Sequence, residues 1–184
     1  MSQDIVCRCE AILAEIKIGN AAARKEMSEL FPELQGVADA GRADAQALVG
    51  GLALEYIDNA DAAAHYFRMA AEAGDPAGQR GLGHMMANGI AMEQDLVEAA
   101  RLFSAAAESG DPIAAFNLGS MYLKGIGTAP DETRAVELLR RAEAGGVPAA
   151  AALLADWHAE RREYTEARRL YVAAANGGIL CFPS

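Results

Sequence analysis

Residues 110–127 read Gly110-Asp111-Pro112-Ile113-Ala114-Ala115-Phe116-Asn117-Leu118-Gly119-Ser120-Met121-Tyr122-Leu123-Lys124-Gly125-Ile126-Gly127. Pro112 suits the first turn of a helix, where its missing N–H has no intrahelical partner anyway. Ala114, Leu118 and Tyr122 follow at i, i+4 and i+8, one face of that helix. Gly119, beside Leu118, removes a side chain where a second helix must lie close. The glycine-rich turn at Lys124–Gly127 stops the helix. Pro130 and Asp131 restart the chain, with Asp131 placed to cap a new N-terminus. Ala135, Leu138, Leu139 and Ala142 form the second apolar stripe. Gly145-Gly146 ends it, because glycine tolerates the left-handed conformation common just past a helix.

The same reading applies on either side. Gly74-Asp75-Pro76, Gly110-Asp111-Pro112 and Gly146-Val147-Pro148 are each 36 residues apart. Leu82, Leu118 and Leu154 keep that step, as do Asp95 and Asp131. Self-similarity at a period of roughly 20–50 residues marks a stacked repeat array, in which each unit buries its apolar face against its neighbours. The sequence therefore predicts four helix pairs, over 41–74, 75–110, 111–146 and 147–178. The first and last have short joins, near Asp58–Ala60 and Arg161–Tyr164, in place of the glycine turn. Upstream the pattern decays. Residues 3–18 read as an amphipathic helix with Ile5, Ile12, Leu13 and Ile16 inward, and Pro32–Ala40 as the second helix of a degenerate capping unit spanning 1–40. The tail 179–184 is apolar (Ile179, Leu180, Cys181, Phe182). It is expected to fold over the last helix or, failing that, to mediate self-association.

Composition agrees. Hydrophobic residues make up 52% of the 184, with 42 Ala and only 6% aromatics, which is an all-helical composition. The net charge of −10 lacks the basic footprint that non-specific nucleic-acid binding needs. Three cysteines without paired spacing argue against a disulfide framework and suit a reducing compartment. No leader-like or membrane-length apolar run is read, so a cytoplasmic protein with no membrane partner is expected.

The pattern Ala-x3-Leu-Gly-x2-Tyr-x2-Gly-x-Gly, then Asp-x2-(Lys/Arg)-Ala, two bulky apolar residues, Ala-Ala and Gly, resembles the Sel1-like repeat, a relative of the tetratricopeptide repeat. The best match is Ala114, Leu118, Gly119, Tyr122, Gly125, Gly127, Asp131, Arg134, Ala135, Leu138, Leu139, Ala142 and Gly146. Departures occur: the family Tyr is Met86 in the second unit and His158 in the fourth. Ile90-Ala91 replaces the usual Gly-Val after the second unit's turn, and Thr128 follows Gly127. The resemblance implies an all-α, right-handed α-α superhelix that acts as a non-catalytic scaffold for a protein partner. It also implies narrower roles, an immunity or chaperone-like protein neutralising a secreted effector. A cysteine-rich subgroup is linked to β-lactams. This chain lacks that subgroup's helix-bridging Cys pairs, which leaves a small hydrolase as the remote alternative.

Chemical motifs are sparse. Cys7 and Cys9, two apart on a helix, point about 200° from each other and do not converge on one ion. His65, His84 and His158 form no metal-binding spacing, and His158 reads as a packed residue. Trp157 likewise reads as core or groove packing. Gly78-Gln79-Arg80-Gly81-Leu82-Gly83 follows no strand, so its glycines read as packing positions and not as a phosphate loop. No catalytic residue, metal or cofactor is expected. In tetratricopeptide-like stacks the first helix of each pair lines the concave face. Counting from the constant-phase Leu, positions −5, −2, +2, +5 and +6 face the groove. These place Arg80, His84, Asn88, Phe116, Ser120 and Lys124 in its centre, and Asp156 and Glu160 toward one end. Lys124 is one of only three Lys in the chain. A basic, partly aromatic centre in an acidic protein fits an extended peptide bearing a carboxylate or acidic side chain.

Overall fold

A computed structural model describes residues 4–178, and all regular structure among them is helical. The helices are α1 (Ile5–Lys17), α2 (Ala21–Asp39), α3 (Ala43–Glu55), α4 (Ala60–Glu72), α5 (Pro76–Asn88), α6 (Leu96–Glu108), α7 (Pro112–Lys124), α8 (Glu132–Ala144), α9 (Pro148–Glu160) and α10 (Tyr164–Asn176). The chain divides into two compact units, 1–94 with α1–α5 and 95–184 with α6–α10. The all-α expectation holds. The apolar tail expected to fold over the last helix lies outside the described residues.

The start signals work as read. Pro76, Pro112 and Pro148 each open a helix. Asp75 accepts from the Gly78 N–H and Asp111 from the Ala114 N–H, both at 2.8 Å. Asp95 accepts from Val97 and Glu98, and Asp131 from Arg134. Val147 holds the same extended backbone before α9 but makes no cap bond. Near the N-terminus the sequence reading needs correction. The helix expected over Pro32–Ala40 is the C-terminal half of α2, which begins at Ala21 and carries Pro32 inside it. Ala23, Met27, Leu30, Leu34 and Ala38 keep helical spacing and are all buried, so a continuous apolar stripe outweighs the local breaker. On α1, Ile12 and Ile16 are buried as expected, Ile5 and Leu13 are half-buried, and Val6 and Cys9 complete the inward face.

In the first unit, Phe67 of α4 organises the packing. Its ring lies so close to Gly50 of α3 and Gly81 of α5 that a Cβ on either glycine would sit 2.8 or 2.4 Å from a ring carbon. Tyr66, next to it, donates its hydroxyl to Asp39 at 2.8 Å and accepts from the Gln35 amide at 3.1 Å, tying α4 to α2. Arg42, just before α3, pairs with Asp44 and with Asp4, the residue that caps α1. In the second unit, Leu102, Phe103, Leu118, Leu139, Leu154 and Leu170 are buried. The Arg141 guanidinium caps the end of α6 by donating to the Ala107 carbonyl at 2.5 Å. Gly127, at φ +68°, approaches the same helix's start, where an added Cβ would lie 2.2 Å from the Leu96 carbonyl oxygen. Ala91, one period earlier, takes a similar left-handed φ of +55°.

Three outcomes are expected. Val147→Asp supplies the cap that α5 and α7 already have and raises stability by about 1 kcal/mol, or roughly 2–4 °C in Tm, by thermal denaturation. Gly127→Ala forces both a left-handed Ala and a collision with Leu96, and lowers stability by about 2 kcal/mol or more in urea. Arg42 hydrogen bonds hold the Asp4 and Asp44 carboxyls below their ordinary value of 3.8. Their contribution is therefore complete above that pH and lost as pH falls through the lowered folded values. The Tm difference between the native chain and Arg42→Gln should be constant from neutral pH down to about pH 5 and shrink in more acid solution.

Candidate functional site

On α7, Ala114, Ala115, Leu118 and Met121 are buried. The residues between them form a second line at helical spacing: Phe116 and Ser120 half-buried, then Lys124 exposed. Among the described residues Lys124 makes no ion pair or side-chain hydrogen bond. On α9 of the same unit, Asp156 and Glu160 are exposed, and Asp156 accepts from the Tyr171 hydroxyl at 2.6 Å. On α5 of the first unit, Leu82 is buried while Arg80 is half-buried and His84 and Asn88 are exposed. Asn88 is committed locally, its amide donating to the His84 carbonyl at 2.8 Å, and Arg80 is not a free charge. The eight residues expected in one groove thus sit on first helices of their pairs, three in one unit and five in the other. The Gly78–Gly83 run lies inside α5, with Gly78, Gly81 and Gly83 buried, as packing positions should be.

The His158 reading also holds. The ring is 5% exposed, with Nδ1 2.5 Å from a Glu163 carboxylate oxygen and its edge against Trp157 at 4.9 Å. Trp157 carries the Arg161 guanidinium 3.8 Å over its ring, and Arg161 also pairs with Glu132 at the start of α8. The sequence signalled neither Arg161 nor Glu163 as a partner, because both lie on a short join without a motif. A cavity of about 120 Å³ beside His158 is walled by Arg140, Arg169, Glu143 and Glu166. Arg169 pairs with both glutamates and holds the Glu166 carboxyl below its ordinary range, so the cavity's charges largely answer one another. Cys7 is exposed and Cys9 buried, pointing apart as expected, and burial pushes the Cys9 thiol up, away from thiolate character. Among the described residues no three His, Cys, Asp or Glu converge as a metal ion requires. No helix among them is long and apolar enough to cross a membrane.

With this geometry in hand, comparison with known proteins is specific. The Sel1 repeat model matches residues 43–75, 76–111 and 112–147. A comparison with curated proteins gives no match. Among solved structures, a Sel1 repeat protein from Oxalobacter formigenes is 30% identical with a TM-score of 0.72, over 82% of this chain and 64% of that one. A protective antigen present in uropathogenic Escherichia coli strains, displaying an SLR fold, is 32% identical with a TM-score of 0.73, over 80% and 33%. Helicobacter pylori cysteine rich protein B is 22% identical with a TM-score of 0.51, over 67% and 91%, a likeness of fold alone. The chain spans less than two thirds of the length of the first two. Three matched repeats cover more than half of the sequence, each an α-helical pair of the kind described above, and the chain belongs to the Sel1 repeat family, whose members generally serve as protein–protein interaction scaffolds.

Proposed function

We propose that this chain is a non-catalytic scaffold that holds a protein or peptide partner against the solvent-facing sides of its first helices, above all the Phe116–Ser120–Lys124 line of α7. The observation that carries the reading is the combination on that line: an accessible aromatic edge, a hydroxyl and a free ammonium in a protein of net charge −10. An aromatic and a cationic group two turns apart on one helix line, about 12 Å along the axis, suit an extended acidic peptide segment: the ring supplies contact area and the charge selects the carboxylate. Asp156 and Glu160 on α9 would repel an acidic segment that ran past them, which favours a segment whose acid lies at Lys124 and whose flank is neutral or basic. Arg80, His84 and Asn88 offer a second polar face on α5. Because Arg80 is already engaged, it is the weaker handle there.

A narrower form of the same reading is an immunity or chaperone-like protein that occludes an effector through this face. The cytoplasmic setting is supported by two unpaired cysteines among the described residues. The hydrolase alternative needs a nucleophile with a base in reach. His158 is instead sealed against Glu163 and Trp157, and burial keeps the Cys9 thiol from thiolate character.

Affinity capture on the immobilised chain, read by quantitative mass spectrometry, tests the face. Lys124→Glu should reduce recovery of the main partner about tenfold or more, and Arg80→Glu less, with the Tm of Lys124→Glu unchanged within about 2 °C. Equal recovery by both variants rejects this face as the site.

A further inference from the structure

The first unit contains a cavity of about 620 Å³ between α1, α2 and the C-terminal end of α3. Ile16, Met27, Phe31, Leu52 and Ile57 form its apolar walls, and Arg24, Ser28, Glu55 and Tyr56 its polar ones. This volume lies mid-range for sites that enclose a small ligand or a few side chains, roughly 300–1,000 Å³, and the composition is that of such sites: mostly apolar with a few polar groups. Two of the lining side chains are well exposed to solvent, Ile57 at 50% and Tyr56 at 42%.

The charges say what would fill it. Most ionic groups of α1 and α2 are already satisfied: Arg8 by Glu26, Lys25 by Glu29, and Glu15 by the Asn20 amide. Arg24 and Glu55 are different. Among the described residues neither makes an ion pair or side-chain hydrogen bond, although both line the same cavity. They stand on different helices, α2 and α3, and do not reach each other. Two of the chain's three lysines, Lys17 and Lys25, also neighbour lining residues in sequence. An apolar anion alone would satisfy Arg24 and face Glu55 unfavourably. A ligand with an apolar middle and opposite charges at its two ends satisfies both walls.

We propose that this cavity is a second recognition site, one that takes a short peptide segment of a protein partner: bulky apolar side chains in the cavity, an acidic group on Arg24 and a basic group on Glu55. The site is independent of the α7 face, uses none of its residues, and stands or falls separately.

Four fluorescein-labelled, end-capped pentapeptides test it by fluorescence anisotropy on the full chain: Asp-Leu-Phe-Leu-Lys, Asp-Leu-Phe-Leu-Gln, Asn-Leu-Phe-Leu-Lys and the neutral Asn-Leu-Phe-Leu-Gln. The doubly charged peptide should bind most tightly, with each charge contributing roughly three- to tenfold over the neutral one. Arg24→Glu should erase the advantage of Asp and keep that of Lys, and Glu55→Arg should do the reverse, the signature of two separate pairs. Ser28→Trp, which places an indole at the cavity wall, should block all four peptides while leaving the Tm and the partner capture of the α7 face intact. The proposal is overturned if no peptide binds the native chain, if binding ignores Arg24→Glu and Glu55→Arg alike, or if dodecanoate competes more strongly than the doubly charged peptide.

Discussion

Close approach of paired helices is the constraint on which the rest of this structure depends, and glycine on the first helix is what permits it. Phe67 lies against Gly50 and Gly81 at distances that leave no room for a methyl group on either. In the second unit Gly119 plays the corresponding part, with Leu139 3.0 Å from where its Cβ would stand. Small residues elsewhere extend the effect: Ala45, Ala63, Ala70, Ala114, Ala135 and Ala142 are fully buried. An interior built this way gains its stability from many modest contacts at native density and from few large side chains. It also explains why so alanine-rich a chain need not be loosely packed.

That packing determines which residues are left facing solvent. One side of α5, α7 and α9 is buried, and on the opposite side the copies differ. Leu82, Leu118 and Leu154 are alike and buried, while two residues after each of them stand His84, Ser120 and Asp156. Exposed positions such as these vary without disturbing the stack. The cavity near Arg24 arises differently. It sits beside α1 and α2, outside the matched repeats, so the constraint that seals the regular pairs does not apply.

Much of the site chemistry was legible residue by residue. The burial of His158, the packing role of Gly78–Gly83 and the divergence of Cys7 and Cys9 all follow from position on a helix. Other features were not. Asn88 reads as an exposed contact residue, yet its side-chain amide donates to the His84 carbonyl one turn back, a local bond that the residue type and spacing alone do not reveal. The extent of α2 was hidden by Pro32, whose local signal is strong while the stripe that overrides it is spread over sixteen residues, Ala23 to Ala38. The fourth pair, α9 and α10, lies beyond the three matched repeats. Its departures from the pattern, Val147, His158 and the missing glycine turn, concern caps and joins, and both helices form regardless.

The sequence by itself determined the elements and their periodicity: prolines and aspartates that start helices, glycines that end them, and apolar stripes whose spacing admits only helices. These are local signals, set within a few residues by backbone geometry and hydrogen-bond needs. Only the tertiary structure decided which charges are free and where space is left. Arg24 and Glu55 are ordinary surface residues in a sequence, and so are Arg8 and Glu26. That the second pair bond to each other while the first pair line one largely apolar cavity depends on how α1, α2 and α3 come together, a matter of distances between residues far apart in the chain.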